Sequence, residues 1–219
     1  MENKVLKVLK PVNIILSLIS VVLGGVAIGF LVGFNFADVF TLYTNEGTKY
    51  ADGFSYPGYQ AIFYGYGNMI IQGYTENGFN LLMFLGFFLP FAGCITACVM
   101  LLTNLLRKGT NLKKAILEGV VGATLIFGAI VLFNCDKLWI ANAQRVTGSY
   151  TNYYETYLLP AINGELYFGK DQFPGIVFVI CLIAGIVKLV NCGMLLFQKY
   201  YNRAVNKQQV QINEKGENE

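Results

Sequence analysis

Four long stretches without clusters of charge constrain the fold of this chain more than any other feature. They cover about residues 12–34, 79–106, 112–134 and 174–198. A helix needs about 20 apolar residues to cross the hydrocarbon core of a bilayer, and each stretch reaches that length. A soluble protein with four buried helices is the alternative, but no amphipathic helices remain to cover such a core. The sequence therefore predicts an all-α integral membrane protein with a four-helix transmembrane bundle.

The first apolar stretch follows Lys4, Lys7 and Lys10, as the apolar region of a signal peptide would. It is longer than the roughly 7–15 apolar residues of a signal, and no convincing cleavage site follows it. We interpret it as a retained transmembrane helix.

The distribution of Lys and Arg predicts the orientation of the four helices. The N-terminal arm carries three of these residues, the short link at 107–114 carries four and the tail carries four. The two long loops, 35–78 and 135–173, carry only four together. Because cytoplasmic segments collect positive charge, we expect both termini and the link in the cytoplasm. Membrane orientation also explains the net charge of +3, so nucleic acid is not an expected partner.

The expected architecture is a single membrane domain, residues 1–198, made of two in-out-in helical hairpins. The link between the hairpins is short, which makes the second and third helices antiparallel neighbours. We expect the two long outer loops to form a small extracytoplasmic cap. The tail, 199–219, is polar, and we expect it to be disordered.

Aromatic residues dominate the two outer loops, which hold twelve of the fourteen tyrosines. Segment 59–64, "YQAIFY", suits a short strand; 136–146 and 150–159 suit short helices. The rings could pack the cap and lie at the headgroup level, or they could anchor a partner. The candidate binding face contains Tyr56, Tyr59, Tyr64, Tyr66, Trp139, Tyr153 and Tyr154.

Small residues and one proline mark the candidate packing faces of the helices. Gly25, Gly29 and Gly33 recur at four-residue spacing in the first span. Such a ridge lets another helix approach closely, either within this bundle or from a second protein. Pro90 removes a backbone hydrogen bond and should bend the second helix near Gly86.

Two ionisable residues lie inside predicted spans. Lys188 lies about ten residues, or roughly 15 Å, from the cytoplasmic end of the fourth span. A lysine at that depth costs about 2.5–3.5 kcal/mol on insertion scales, so we expect a partner for it. Glu118 in the third span is the only acidic candidate, and Asn191 shares the face of Lys188 one turn away. The group could be a structural ion pair, or it could line a gate or relay.

Several residue types and motifs are missing from the sequence, and this excludes some classes of enzyme. The chain has no histidine, which excludes hydrolases with a histidine base and HExxH metal sites. A GxxxxGK[ST] phosphate-binding loop is also absent. Four of the five cysteines lie in predicted spans and the fifth borders one, which fits apolar packing better than paired redox chemistry. We therefore expect no enzymatic activity, no cofactor and no metal.

The topology resembles that of claudins and other tetraspan proteins, with four spans, internal termini and a larger first outer loop. The first loop here has neither the Trp nor the cysteines of claudins, and only Cys135 borders the second loop. The sequence therefore assigns no family.

Two functions fit these features. The first is a non-enzymatic interaction or accessory subunit in the cell membrane, which binds a membrane protein or a second copy through its helices and its aromatic cap. The alternative is a small transporter or channel subunit with Lys188 and Glu118 in the path.

Overall fold

The structure is a computed structural model that describes residues 4–44, 55–64, 79–105, 112–146 and 166–216. Five α-helices occur in the described residues: α1 Lys4–Phe36, α2 Leu81–Leu105, α3 Leu112–Phe133, α4 Cys135–Val146 and α5 Gln172–Gly216. Four of them contain segments that are long and apolar enough to cross a membrane: Pro11–Phe36, Leu81–Leu102, Leu112–Phe133 and Gln172–Val205. The predicted spans are thus confirmed as membrane-length helices, and they indicate a multi-pass membrane protein.

Large apolar side chains cover the outer surface of these four helices. Examples are Val22 on α1, Phe88 on α2, Val120 on α3 and Val179 on α5, which are between 46% and 61% exposed. A water-soluble bundle would carry polar residues on this surface. The exposed apolar surface is what contact with lipid requires.

The four long helices pack as a ring. Helix α3 lies against both α2 and α5, and α1 lies against the same two helices from the other side. The ring has two ends. The link end is where α2 finishes and α3 begins, and the sheet end is where α1 finishes and α5 begins.

Glycines bring the helices of the ring close together toward the sheet end. A side chain at Gly128 of α3 would collide with the backbone oxygen of Gly86 and with the ring of Pro90, both on α2. Between α3 and α5, a Cβ at Gly122 would lie 2.9 Å from the Gly185 oxygen. In a bilayer such close backbone contact is a main source of helix association. The bend expected at Pro90 stays a prediction.

A small antiparallel sheet joins the ends of α1 and α5. It contains β1 (Asp38–Thr44), β2 (Ser55–Pro57) and β3 (Leu166–Lys170) in the order β2-β1-β3. Phe40 pairs with Lys170 and Thr44 with Leu166. Because β1 follows α1 and β3 precedes α5, the packing of those two helices brings the strands together.

The described residues are mostly helical, as expected, and this small sheet is an addition that the sequence did not predict. Strand β1 is rich in β-branched and aromatic residues, which suits a pleated strand. That pattern covers only seven residues, and its partner β3 lies far away in the sequence. Local periodicity therefore gave no signal for the pairing.

Three smaller expectations have different outcomes. Residues Gln60–Tyr64 form a π-helical turn, so the strand expected for 59–64 is wrong. Helix α4 (Cys135–Val146) confirms the helix expected for 136–146. The helix expected for 150–159 lies outside the described residues.

The tail also differs from expectation, because α5 continues as a helix to Gly216 instead of becoming disordered after residue 198. Between Lys199 and Gly216 there is no proline or glycine to stop it. Extending an existing helix costs much less than nucleating a new one, so a polar tail can remain helical.

Candidate functional site

A buried polar cluster lies near the middle of the ring, where three helices each contribute a side chain. Helix α1 supplies Ser20, α3 supplies Glu118, and α5 supplies Lys188 and Asn191. All four residues are at most 1% exposed. Lys188 is one of the largest fully buried side chains in the described structure.

Direct contacts hold the cluster together. The Lys188 ammonium lies 3.3 Å from Glu118 Oε1 and forms a salt bridge with it. Lys188 also donates to Ser20, with Nζ 3.0 Å from the hydroxyl and 3.4 Å from the backbone oxygen. Ser20 in turn donates to Glu118 Oε2 across 2.6 Å, and Asn191 donates to the same oxygen across 3.3 Å.

The contacts close a triangle between α1, α3 and α5. Each Glu118 oxygen accepts at least one hydrogen bond, and the ammonium donates toward both other helices. A buried ion pair is tolerated only when such additional hydrogen bonds complete it. Removing one member would leave its partner charged in a low-dielectric interior, so the cluster must form as a unit.

Helix α2 completes the wall around the ammonium. A Cβ at Gly24 of α1 would lie 2.9 Å from Cys98 Sγ and 3.4 Å from Lys188 Nζ. The Cys98 thiol donates to the backbone oxygen of Val21, 3.6 Å away. Gly24 thus makes room for both side chains. The sequence pattern singled out its neighbour Gly25 instead, because only Gly25 belongs to the four-residue repeat.

Further polar side chains extend from the cluster toward the link end. Asn13 and Ser17 of α1 are each 7% exposed, and Gln198 of α5 is 6% exposed. Asn13 donates a hydrogen bond to Gln198. Lys114, one turn before Glu118 on α3, is 9% exposed. We name this whole set the link-end seam: Asn13, Ser17, Ser20, Lys114, Glu118, Lys188, Asn191 and Gln198.

Sequence reasoning missed the α1 part of the seam, although a signal was present. Asn13, Ser17 and Ser20 recur at spacings of four and three, which places them on one helix face. Short polar residues are common in transmembrane helices, because each side chain can form a hydrogen bond with the backbone of its own helix. Only the facing residues on α3 and α5 make this face part of a site.

The structure places the three predicted charge-cluster residues together, as described above. Of the predicted glycine ridge, only Gly33 packs within the protein, since its Cβ would meet the Phe173 ring at 2.9 Å. Around Gly25 and Gly29 an added Cβ meets no described atom within 4 Å. Gly25 and Gly29 therefore do not pack against another helix of this bundle, which was one of the two interpretations of the ridge.

The predicted aromatic binding face is corrected at Trp139. Its side chain is 1% exposed and belongs to the apolar core, so it cannot contact a partner. The indole packs there because α4 folds its apolar face onto the bundle. Tyr59 is 38% exposed. The side chains of Tyr56 and Tyr64, and all of Tyr66, Tyr153 and Tyr154, lie outside the described part of the chain.

The cysteines form no metal or redox centre in the residues that the structure describes. All five are free. No group of three or more Cys, Asp or Glu side chains that could hold a metal occurs in these ranges. Burial raises the pKa of the Cys135 thiol, at the sheet end, to about 12, which keeps it protonated.

No protein-family model matches this chain, and no curated protein matches it. Fold and site together describe a multi-pass helical membrane protein with an ion pair inside its bundle.

Proposed function

We propose that this chain is a non-enzymatic accessory subunit of the cell membrane that binds another membrane protein through α1. The observation that carries the proposal is the open surface at Gly25 and Gly29, where an added Cβ meets no described atom within 4 Å. Small residues at four-residue spacing on an exposed face allow a second transmembrane helix to approach the backbone.

The neighbouring glycines support this by contrast. Gly24 and Gly33 have side chains of this same chain at 2.9 Å from their added Cβ, so internal packing explains them. Internal packing does not explain Gly25 and Gly29. Val22 and Val26, 61% and 38% exposed, flank the pair and would form the rim of the helix contact.

The proposed orientation places both termini and the link end in the cytoplasm. The excess of Lys and Arg in the arm, the link and the tail supports it. The sheet end would then lie outside. Pairing of β1 with β3, which come from the two long loops, supports an extracytoplasmic cap shared by both loops.

Co-purification from mild detergent tests the proposal. A chain tagged at its C-terminus should retain a distinct membrane protein at fixed stoichiometry, and Gly29→Leu should release it. The matched control is Gly193→Leu on α5, where an added Cβ also meets no described atom within 4 Å. Recovery of this chain alone, or of a homo-oligomer that Gly29→Leu leaves intact, would contradict an accessory subunit that acts through α1.

A transporter or channel subunit is the second candidate, and the fully buried Lys188–Glu118 pair favours it. Ionisable residues inside membranes often line ion or proton paths. The double variant Lys188→Met with Glu118→Gln separates the two functions. An accessory subunit should still bind its partner, whereas a transporter should lose proton, Na⁺ or K⁺ flux in liposomes while it folds normally. If the wild-type chain carries no such flux, this candidate fails.

A further inference from the structure

Two buried acceptors in the link-end seam have no hydrogen-bond partner among the described residues. They are Asn13 Oδ1 and Asn191 Oδ1. Asn191 is 0% exposed and Asn13 is 7% exposed, so neither oxygen is open to bulk solvent. A buried carbonyl without a hydrogen-bond donor destabilises the folded state, so two of them in one seam call for a ligand.

The chemistry of the seam identifies the class of that ligand. Both unpaired atoms are acceptors, so the ligand must donate hydrogen bonds or be a cation. A cation is disfavoured, because Lys188 already neutralises Glu118 at 3.3 Å and Lys114 lies one turn away. A neutral donor with acceptor capacity of its own fits best, and water is the smallest one.

The arrangement of polar groups gives water a route from one end. Asn13 and Gln198 lie nearest the link end, and Ser17 lies deeper in the bundle. Ser20 and Asn191 lie deepest, beside the ion pair. Successive seam residues on α1 are three or four residues apart, or about 4.5–6 Å along the axis. That step is one that a single bridging water can span.

Beyond the ion pair the route closes. The core between the cluster and the sheet end is apolar and fully buried, and it includes Ala27, Leu31, Leu125, Ala129, Cys181 and Ala184. These side chains offer a water no strong partner, and apolar cavities of this kind stay dry.

We propose that the link-end seam is a one-sided, water-filled vestibule, in which Asn13 and Asn191 bind water and which ends at the Lys188–Glu118 pair. This vestibule could exist in either an accessory subunit or a transporter, so its test is independent of both proposed functions. As a consequence, water reaches the ion pair from the link end and not from the sheet end.

X-ray radiolysis of the detergent-solubilised protein tests this vestibule, because hydroxyl radicals form from bound water itself. Two single variants place matched probes on α1, Ser17→Cys in the seam and Ala27→Cys in the apolar half. Mass spectrometry measures the oxidation of each probe separately from the native cysteines. We expect the thiol at 17 to oxidise at least about tenfold faster than the thiol at 27, although both positions are buried.

The unaltered chain provides a second measurement that needs no substitution. Leu195 lies on α5 between Asn191 and Gln198 and is 7% exposed, whereas Leu132 in the apolar half is 0% exposed. In air-equilibrated buffer the radical should abstract a side-chain hydrogen from Leu195, and the carbon radical should then add dissolved O2, so Leu195 gains oxygen mass whereas Leu132 does not. Equal oxidation at positions 17 and 27, together with no difference between Leu195 and Leu132, would overturn the vestibule.

Discussion

Different kinds of interaction stabilise the two halves of the bundle. At the link end, helices α1, α3 and α5 meet through hydrogen bonds and an ion pair between charged and polar side chains, around the 3.3 Å contact between Lys188 and Glu118. At the sheet end the helices of the ring meet through apolar side chains and through glycines that bring backbones together, as between Gly86 of α2 and Gly128 of α3. Within one chain, the same helices use both strategies.

Each of these two kinds of contact has its own physical requirement. Lipid is as apolar as a leucine core, so moving apolar surface from lipid into a helix contact stabilises that contact little. Close van der Waals packing must therefore stabilise it. A polar cluster gives stronger and more directional contacts, but only when every charged group finds a partner. The sheet end therefore tolerates changes that keep volume, whereas the link end tolerates only changes that keep charge balance.

The largest effect is expected from Lys188→Met. It leaves Glu118 charged and buried without its cation, which costs about 3–5 kcal/mol of unfolding free energy. Unfolding in mixed micelles by a denaturing detergent measures it. Lys137→Met on α4 makes the same change at an exposed site and should cost much less. Equal costs at the two sites would refute the structural importance of the pair.

A large kinetic effect is expected at Cys135, in the apolar half. With a pKa of about 12 against an ordinary 9.0, this thiol has about a thousandfold less thiolate at pH 8 than a free cysteine. Maleimide should leave it unmodified until the protein is unfolded, whereas a cysteine at the exposed position 137, in Lys137→Cys, should react rapidly.

The pH dependence at Cys135 has a definite sign. The pKa of Cys135 is higher in the folded than in the unfolded protein. The buried thiol therefore contributes fully to stability below pH 9, and this contribution is lost as the pH rises toward 12. Fast alkylation of folded Cys135 at pH 8 would show that the sheet end is open to water.

A moderate effect is expected from Gly128→Ala. The new methyl group collides with the Gly86 backbone and with Pro90, so α2 and α3 must separate, at a cost of about 1–3 kcal/mol. Gly193→Ala, where the added carbon meets no described atom within 4 Å, is the matched control and should cost nothing measurable. The same detergent titration applies, and a neutral Gly128→Ala would show that this contact is loose.

The smallest effect is expected from Lys170→Met, at the edge of the sheet. Lys170 lies 3.7 Å from Asp136 Oδ1 and 3.6 Å from the centre of the Phe133 ring. Both side chains of the ion pair are partly exposed, so screening limits the loss to about 0.5–1 kcal/mol. A loss as large as that of Lys188→Met would remove the distinction between a solvated and a buried ion pair.

Sequence alone predicted the membrane-length helices because hydropathy is a local property. It also predicted that Lys188 and Glu118 are partners, because a charged side chain inside a membrane span is rare and needs an opposite charge nearby. It could not predict the β1–β3 ladder, whose strands lie far apart in sequence, or the burial of Trp139. Nor could spacing show that Gly24 faces inward while Gly25 faces outward, since that depends on how the whole of α1 is rotated in the ring.

A double-mutant cycle on Lys188 and Glu118 measures whether the two residues stabilise the protein as a pair. Unfolding free energies are measured for Lys188→Met, Glu118→Gln and the double variant. If the pair is an ionic core, the coupling energy should exceed the cost of Glu118→Gln, so that the double variant is more stable than Lys188→Met alone. If the two single losses simply add, the two residues do not stabilise the protein as a pair, and the link end has no ionic core.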